Sequence, residues 1–141
     1  MVGIVIITHG RLADQLLAAT ELIVGKVENC ATVNIIPDEN MDEAEAEIGK
    51  AIQKVDTGAG VLILTDLFGG TPSNLSLSFL KEGRIEVLSG VNLPMVLTLA
   101  TNRSEKSLME VAEMTGESGR NNIRLASRIL NIKTETRKKE N

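Results

Sequence analysis

The chain has 141 residues with one histidine, one cysteine and two aromatic side chains, Phe68 and Phe79, and its 15 Lys plus Arg against 19 Asp plus Glu leave a net charge of −4. That length suits a single domain, and the counts exclude a multi-histidine or Cys-rich metal site, an intramolecular disulfide and a His–His acid/base pair. The acidic balance also disfavours nucleic acid as a partner, because a phosphate backbone requires a basic face.

Residues 2–7 (V-G-I-V-I-I) form a continuous β-branched run that breaks at Thr8-His9-Gly10, the pattern of a strand buried on both faces. No Lys or Arg precedes this run, and it is too short for a signal-peptide core or a membrane span, which places the chain in the cytoplasm. Apolar positions 12, 13, 16, 17, 20, 23 and 24 predict a helix over 11–24, stopped by Gly25. Residues 31–36 read as a second strand closed by Pro37, with Cys30 before it as a small packed residue lacking any neighbour that would activate a thiol. Residues 41–55 predict an amphipathic helix whose acidic residues, within the run 38–47, form a solvated face.

A third aliphatic strand covers 61–64 and ends in Thr65-Asp66. After the loop Leu67-Phe68-Gly69-Gly70, a helix is predicted over 72–81 with Thr71 as N-cap and Pro72 at the first helical position. Residues 84–88 give a fourth strand, and Asn92 makes the turn into a helix entered through Pro94. A further amphipathic helix is expected over 104–115, capped by Ser104. Residues 121–126 alternate polar and apolar, as an edge strand would, or extend the last helix, and a polar tail follows from 127 to 141. Strands alternating with helices imply right-handed parallel crossovers and an α/β layered fold of one domain.

In an open parallel sheet, ligands bind beyond the carboxyl ends of the strands where the strand order reverses. His9 and Asp66 fall at two such ends, and a reversal between strands one and three brings them together. A carboxylate accepting the Nδ1 hydrogen of an imidazole leaves Nε2 facing outward as base or nucleophile. Gly69 and Gly70 admit close approach of backbone N–H groups, and the following helix start with the Thr71 hydroxyl completes an anion site. A nucleophilic histidine facing an anion site points to a phosphoryl group carried on that histidine. The bland alternatives are an incidental histidine, an Asp66 that caps a turn and a Gly-Gly that only bends the chain.

The motifs T-H-G at 8–10, D-L-F-G-G-T-P-S-N at 66–74 and G-V-N-L-P-M at 90–95 resemble the mannose-family IIA component of the bacterial phosphoenolpyruvate-dependent sugar phosphotransferase system, over residues 1–126. The resemblance implies four parallel strands in the order 2-1-3-4 with helices on both faces. It also implies a fifth, antiparallel edge strand exchanged within a homodimer, for which 121–126 is the candidate. It makes His9 a phosphoryl carrier that accepts on Nε2 from the phosphocarrier protein HPr and delivers to a IIB partner. Asp66 would orient the ring and steady its charge, and Gly70 and Thr71 would bind the phosphoryl oxygens. Phe68 would belong to the docking surface. No cofactor or metal is implied. The chain carries no IIB domain after 126, so IIB would be a separate chain, with the membrane components IIC and IID further downstream.

Other readings are a phosphorylation-sensitive regulatory module, a IIA-like domain of dihydroxyacetone phosphorylation and a histidine phosphatase. The last would need an arginine directly before the histidine and a second histidine, whereas Thr8 precedes His9. A nucleotide-binding domain would need a glycine fingerprint after the first strand, where only Gly10 stands. The sugar is not legible, since this component need not touch it.

Overall fold

Four aliphatic runs become the strands of one parallel sheet, β1 (Gly3–His9), β2 (Cys30–Ile35), β3 (Val61–Thr65) and β4 (Ile85–Ser89), in the order β2-β1-β3-β4. The computed structural model describes residues 1–131. Helices α1 (Leu12–Val24), α2 (Met41–Val55), α3 (Thr71–Leu77), α4 (Leu93–Asn102) and α5 (Leu108–Asn121) fill the connections. The expected layering therefore holds. The order reverses at β1, whose neighbour β3 follows the excursion through β2 and α2.

Side-chain alternation divides the core in two. Ile4, Ile6, Leu62 and Leu64 point to one face and pack with Ala13 of α1, Leu99 of α4 and Val111 of α5. Val5, Ile7 and Ile63 point to the other and pack with Ile48 and Ile52 of α2, with Leu75 at the margin. Both faces of β1 and β3 are thus covered, which explains why these strands are apolar in near-continuous runs instead of alternating with polar residues. Each such side chain stabilises the fold by roughly 1.5–3 kcal/mol on burial.

Several boundaries depart from the sequence expectation. β1 runs on to His9, so the histidine is the last residue of a strand and not the start of a loop. The N-cap of α3 is Gly70, and Thr71 is already helical. That helix also stops at Leu77 instead of continuing to 81. The Ser76 and Ser78 hydroxyls bond the carbonyls of Pro72 and Leu75, a local alternative to continued helix, and an antiparallel bridge between Lys81 and Ile85 turns the chain into β4. The last amphipathic helix begins at Leu108, not near Ser104. Ser107 and Glu110 form a reciprocal capping box there, while Glu105 lies at φ +60, outside any helix.

α5 absorbs Asn121, residues 123–125 pair with no strand, and residues 126–131 are helical. Within the chain, therefore, no antiparallel fifth strand forms among the described residues. The polar tail expected over 127–141 lies outside the described residues from 132 onward.

The end of the sheet opposite His9 is tied by one side chain. Arg103, buried at the end of α4, donates from Nε to the Val2 carbonyl (2.9 Å), from Nη1 to Leu99 (2.8 Å) and from Nη2 to Glu28. These carbonyls precede β1, precede β2 and close α4, so a single guanidinium gathers three chain segments. Asn92 does more than turn the chain. Its Oδ1 accepts the Met95 N–H at 3.2 Å to cap α4, and its Nδ2 donates to Gly119 of α5 at 3.1 Å. No helix among the described residues is long and apolar enough to cross a membrane.

Candidate functional site

The pairing of β1 with β3 places Ile7 beside Thr65, so His9 and Asp66 emerge together at the carboxyl end of the sheet. The base of this end is fixed by hydroxyls. Thr8 Oγ1, fully buried, accepts the Ala13 N–H at 2.7 Å and pins the start of α1. Thr65 Oγ1 and Ser89 Oγ, the paired ends of β3 and β4, lie 2.8 Å apart, and Ser73 Oγ in the first turn of α3 lies 3.5 Å from Ser89 Oγ. These hydroxyls link the ends of β3 and β4 to the first turn of α3, with Thr65 and Ser73 fully buried and Ser89 part-buried. Sequence reasoning left them out; hydroxyl residues ending two adjacent apolar strands were the available signal.

Asp66 Oδ2 accepts the His9 backbone N–H at 3.0 Å and stands 2.9 Å from His9 Nδ1. Burial pushes the Asp66 carboxyl up, but the hydrogen bonds from the His9 backbone and ring, with the charge of that ring, outweigh it and hold the carboxyl below its ordinary value. An ionised carboxylate only accepts, so Nδ1 carries the hydrogen, and in the neutral ring Nε2 presents its lone pair. The ring is 52% exposed and the carboxylate 14%, so the imidazole faces outward while its hydrogen-bond partner is sheltered. The second oxygen, Oδ1, is buried without a partner.

Gly70 lies against the ring. A Cβ there would stand 3.0 Å from His9 Cε1 and 3.5 Å from Nε2, so bare backbone at the start of α3 is what allows the chain to pass this close to the ring. Gly69 serves differently: at φ +87 it makes the turn, and a side chain on it would meet open space. Thr71 lines the same cleft as His9, and its hydroxyl has no hydrogen-bond partner among the described residues. Of the three expected anion-binding residues, Gly70 lies at the ring, Thr71 shares a cleft with it and Gly69 shapes the loop.

His9, Gly10 and Thr71 border a cleft of about 410 Å³ that is also lined by Ile35, Ile36, Pro37, Asp38, Glu39, Met41 and Ala44. In the loop after Asp66, Phe68 is 75% exposed. The cleft was not legible in the sequence, because its wall combines a strand end, a proline turn and the first turn of α2. No group of three or more His, Cys, Asp or Glu side chains capable of holding a metal occurs among the described residues. Cys30 is part-buried and its thiol is pushed up to about 12, mainly by burial, with the Arg103 charge acting against that shift.

A family model described as the PTS system fructose IIA component, EIIA-man, matches residues 3–115. The chain is 35% identical over 125 residues to the mannose-specific EIIAB component of Escherichia coli K12, an alignment that covers 87% of this chain and 39% of that protein. It thus spans about two fifths of the length of that relative. It is also 35% identical over 109 residues to the sorbose-specific EIIA component of Lacticaseibacillus casei, covering 77% of this chain and 78% of that one. Among solved structures, the phosphotransferase component EIIA of Streptococcus agalactiae superposes with a TM-score of 0.82 at 28% identity, over 91% of this chain and 99% of that one. The mannose/sorbose-specific IIA subunit of Enterococcus faecalis gives 0.79 at 26% identity, over 88% and 93%.

Proposed function

The chain belongs to the mannose family of phosphotransferase-system IIA components, and from that premise we propose that it is a phosphohistidine carrier, receiving a phosphoryl group from phospho-HPr on His9 and passing it to a IIB partner. The observation that carries this reading is the single Asp66 oxygen that holds both the His9 backbone and Nδ1 and so aims Nε2 outward.

In the first half-reaction the Nε2 lone pair attacks phosphorus. A P–N bond forms as the bond between phosphorus and the donor's leaving atom breaks, and that electron pair stays with the donor. Nδ1 keeps its hydrogen throughout, so no proton is released, and the positive character gained by the ring is balanced by the Asp66 carboxylate. Gly70 and Thr71 supply donors to the phosphoryl oxygens, Gly69 sets the loop that presents them, and positioning with electrostatic stabilisation accounts for the catalysis. The second half-reaction reverses these steps toward IIB, and the membrane components IIC and IID follow only indirectly. The protein acts in the cytoplasm, where its family's donors and acceptors meet.

Residues 1–126 constitute the IIA domain, and 127–141 a polar extension. The working unit is a homodimer that exchanges an antiparallel edge strand drawn from residues 121–126, of which 123–125 are free of helix in the single chain. The free edge of β4 and the exposure of Ile123 and Leu125 support that exchange. Incubation with phosphoenolpyruvate, enzyme I and HPr is expected to give acid-labile, base-stable label on the wild type and none on His9→Ala. Persistent label in that variant would remove the assignment.

A further inference from the structure

We propose that Ser89 is a positioning residue for the transfer: its hydroxyl clips together the two ends of the segment that carries Asp66, Gly70 and Thr71, and so holds that segment in place against His9. The inference rests on the carrier reading and adds to it a residue on β4, a strand that does not pair with β1.

Residues 66–72 separate Thr65, the last residue of β3, from Ser73 in the first turn of α3. Ser89 Oγ lies 2.8 Å from Thr65 Oγ1 and 3.5 Å from Ser73 Oγ, so one hydroxyl reaches both ends. A hydroxyl donates one hydrogen and accepts others, which lets the middle member serve both neighbours at once. Thr65 and Ser73 are fully buried, so neither can replace this partner by bulk water unless the site opens. Past Asp66, the segment's own ties are slight. The Gly70 N–H reaches the Leu67 carbonyl only at 3.5 Å, Asn74 Nδ2 donates to Gly69 at 3.2 Å, and neither bond crosses to the sheet.

Ser89 itself stands on a fixed base. The Val91 N–H donates to the Thr65 carbonyl at 3.0 Å, while Asn92 caps α4 and bonds the Gly119 carbonyl of α5. The run after Ser89 thus braces it against α4 and α5, which gives the motif at 90–95 a part in the site although none of its residues lines the cleft at His9. Placement matters because Gly70 passes the ring so closely that an added Cβ would stand 3.0 Å from Cε1. Loss of the clip lets the start of α3 shift by a fraction of an ångström, enough to misalign a transfer without unfolding the domain.

The test measures His9 labelling over a range of phospho-HPr concentrations. Ser89→Ala is expected to lower kcat about tenfold while KM stays within about twofold. Ser73→Ala cuts the same link from the other side and is expected to give a similar loss. The double variant is then expected to be no slower than the slower single one. Thr98→Val breaks a hydroxyl pair of the same kind between α4 and α5, where Thr98 Oγ1 lies 2.6 Å from Ser118 Oγ, and is expected to label at the wild-type rate. Should Ser89→Ala fail to fold, Ser73→Ala carries the comparison with Thr98→Val. An unchanged kcat in either single variant, additive losses in the double variant or an equal loss in Thr98→Val overturns the clip and leaves the carrier reading standing. A wild type that phospho-HPr does not label on His9 removes the carrier reading and the clip with it.

Discussion

One oxygen of Asp66 stands 3.0 Å from the backbone nitrogen of His9 and 2.9 Å from its Nδ1, so the end of β1 and the plane of the ring are fixed by the same atom. Ring orientation is therefore inherited from sheet register and does not depend on loop conformation.

Replacing Asp66 with Asn removes the charge and can keep the geometry, because an amide oxygen at the Oδ2 position still accepts from both the His9 backbone N–H and Nδ1. The ring then keeps its tautomer but loses the anion that balances the positive charge it gains on phosphorylation. Asp66→Asn is therefore expected to slow His9 phosphorylation about 10- to 100-fold. Nitrogen-15 shifts of the imidazole should still report hydrogen on Nδ1; an unchanged labelling rate in this variant would contradict the account.

The same carboxyl gives the protein an acid-sensitive increment of stability. Its folded value lies below the ordinary 3.8, so its stabilisation is complete above that pH and is lost as pH falls through the folded value. Asp14, also held low, by hydrogen bonds from Thr32 and Asn34, has the same sign but is common to both proteins in the comparison. Urea unfolding of wild type and Asp66→Asn through the acid range should therefore show a free-energy difference that rises with pH as the carboxyl ionises and levels once the pH is well above its ordinary value. A difference that widened on acidification would contradict the assignment.

Adjacent glycines are expected to respond differently. Gly70 has an ordinary φ of −81, so Gly70→Ala costs little in the backbone, yet its Cβ would stand 3.0 Å from the His9 ring. Its stability should stay within about 1 kcal/mol of wild type. Displacement of the ring by a few tenths of an ångström should slow phosphorylation about tenfold. Gly69→Ala meets open space but must hold φ +87, which costs roughly 1–2 kcal/mol of stability. Denaturation midpoints measured beside labelling rates separate the two effects.

At the other end of the molecule, Arg103→Leu strips three carbonyls of their donor and is expected to destabilise the fold by about 3 kcal/mol. Cys30 offers a reporter. With its thiol pushed up to about 12 it should react with iodoacetamide at pH 8 only when the fold opens. Its labelling should therefore be slow in the wild type and faster in Arg103→Leu. Equal rates would mean that the clamp does not govern opening at this end.

Period and punctuation made the layered fold readable. The helix over 41–55 keeps its expected limits because five apolar positions repeat at helical spacing between Asn40 and Asp56. His9 and Asp66 were legible as polar residues ending unbroken apolar strands. The start of α5 was misplaced because Ser104 and Ser107 are both capping residues, and only the S-x-x-E pair 107–110 closes reciprocally. Thr71 lost the cap position to Gly70, since the constraint there is clearance from His9, a residue sixty-one positions earlier that no local pattern contains. The cleft was unreadable for a related reason. Ile36 and Met41 look like ordinary core residues in sequence, and only the absence of anything packed over them makes them surface.

The Arg103 clamp and the His9 site occupy opposite poles of the sheet, and that separation has a consequence for change over generations. Substitutions that tighten the closed pole leave the working pole untouched, because no side chain is shared between them. A lineage can therefore alter residues around His9 while the rest of the scaffold keeps its margin. The chemistry at one pole and robustness at the other become separately adjustable properties of one small chain.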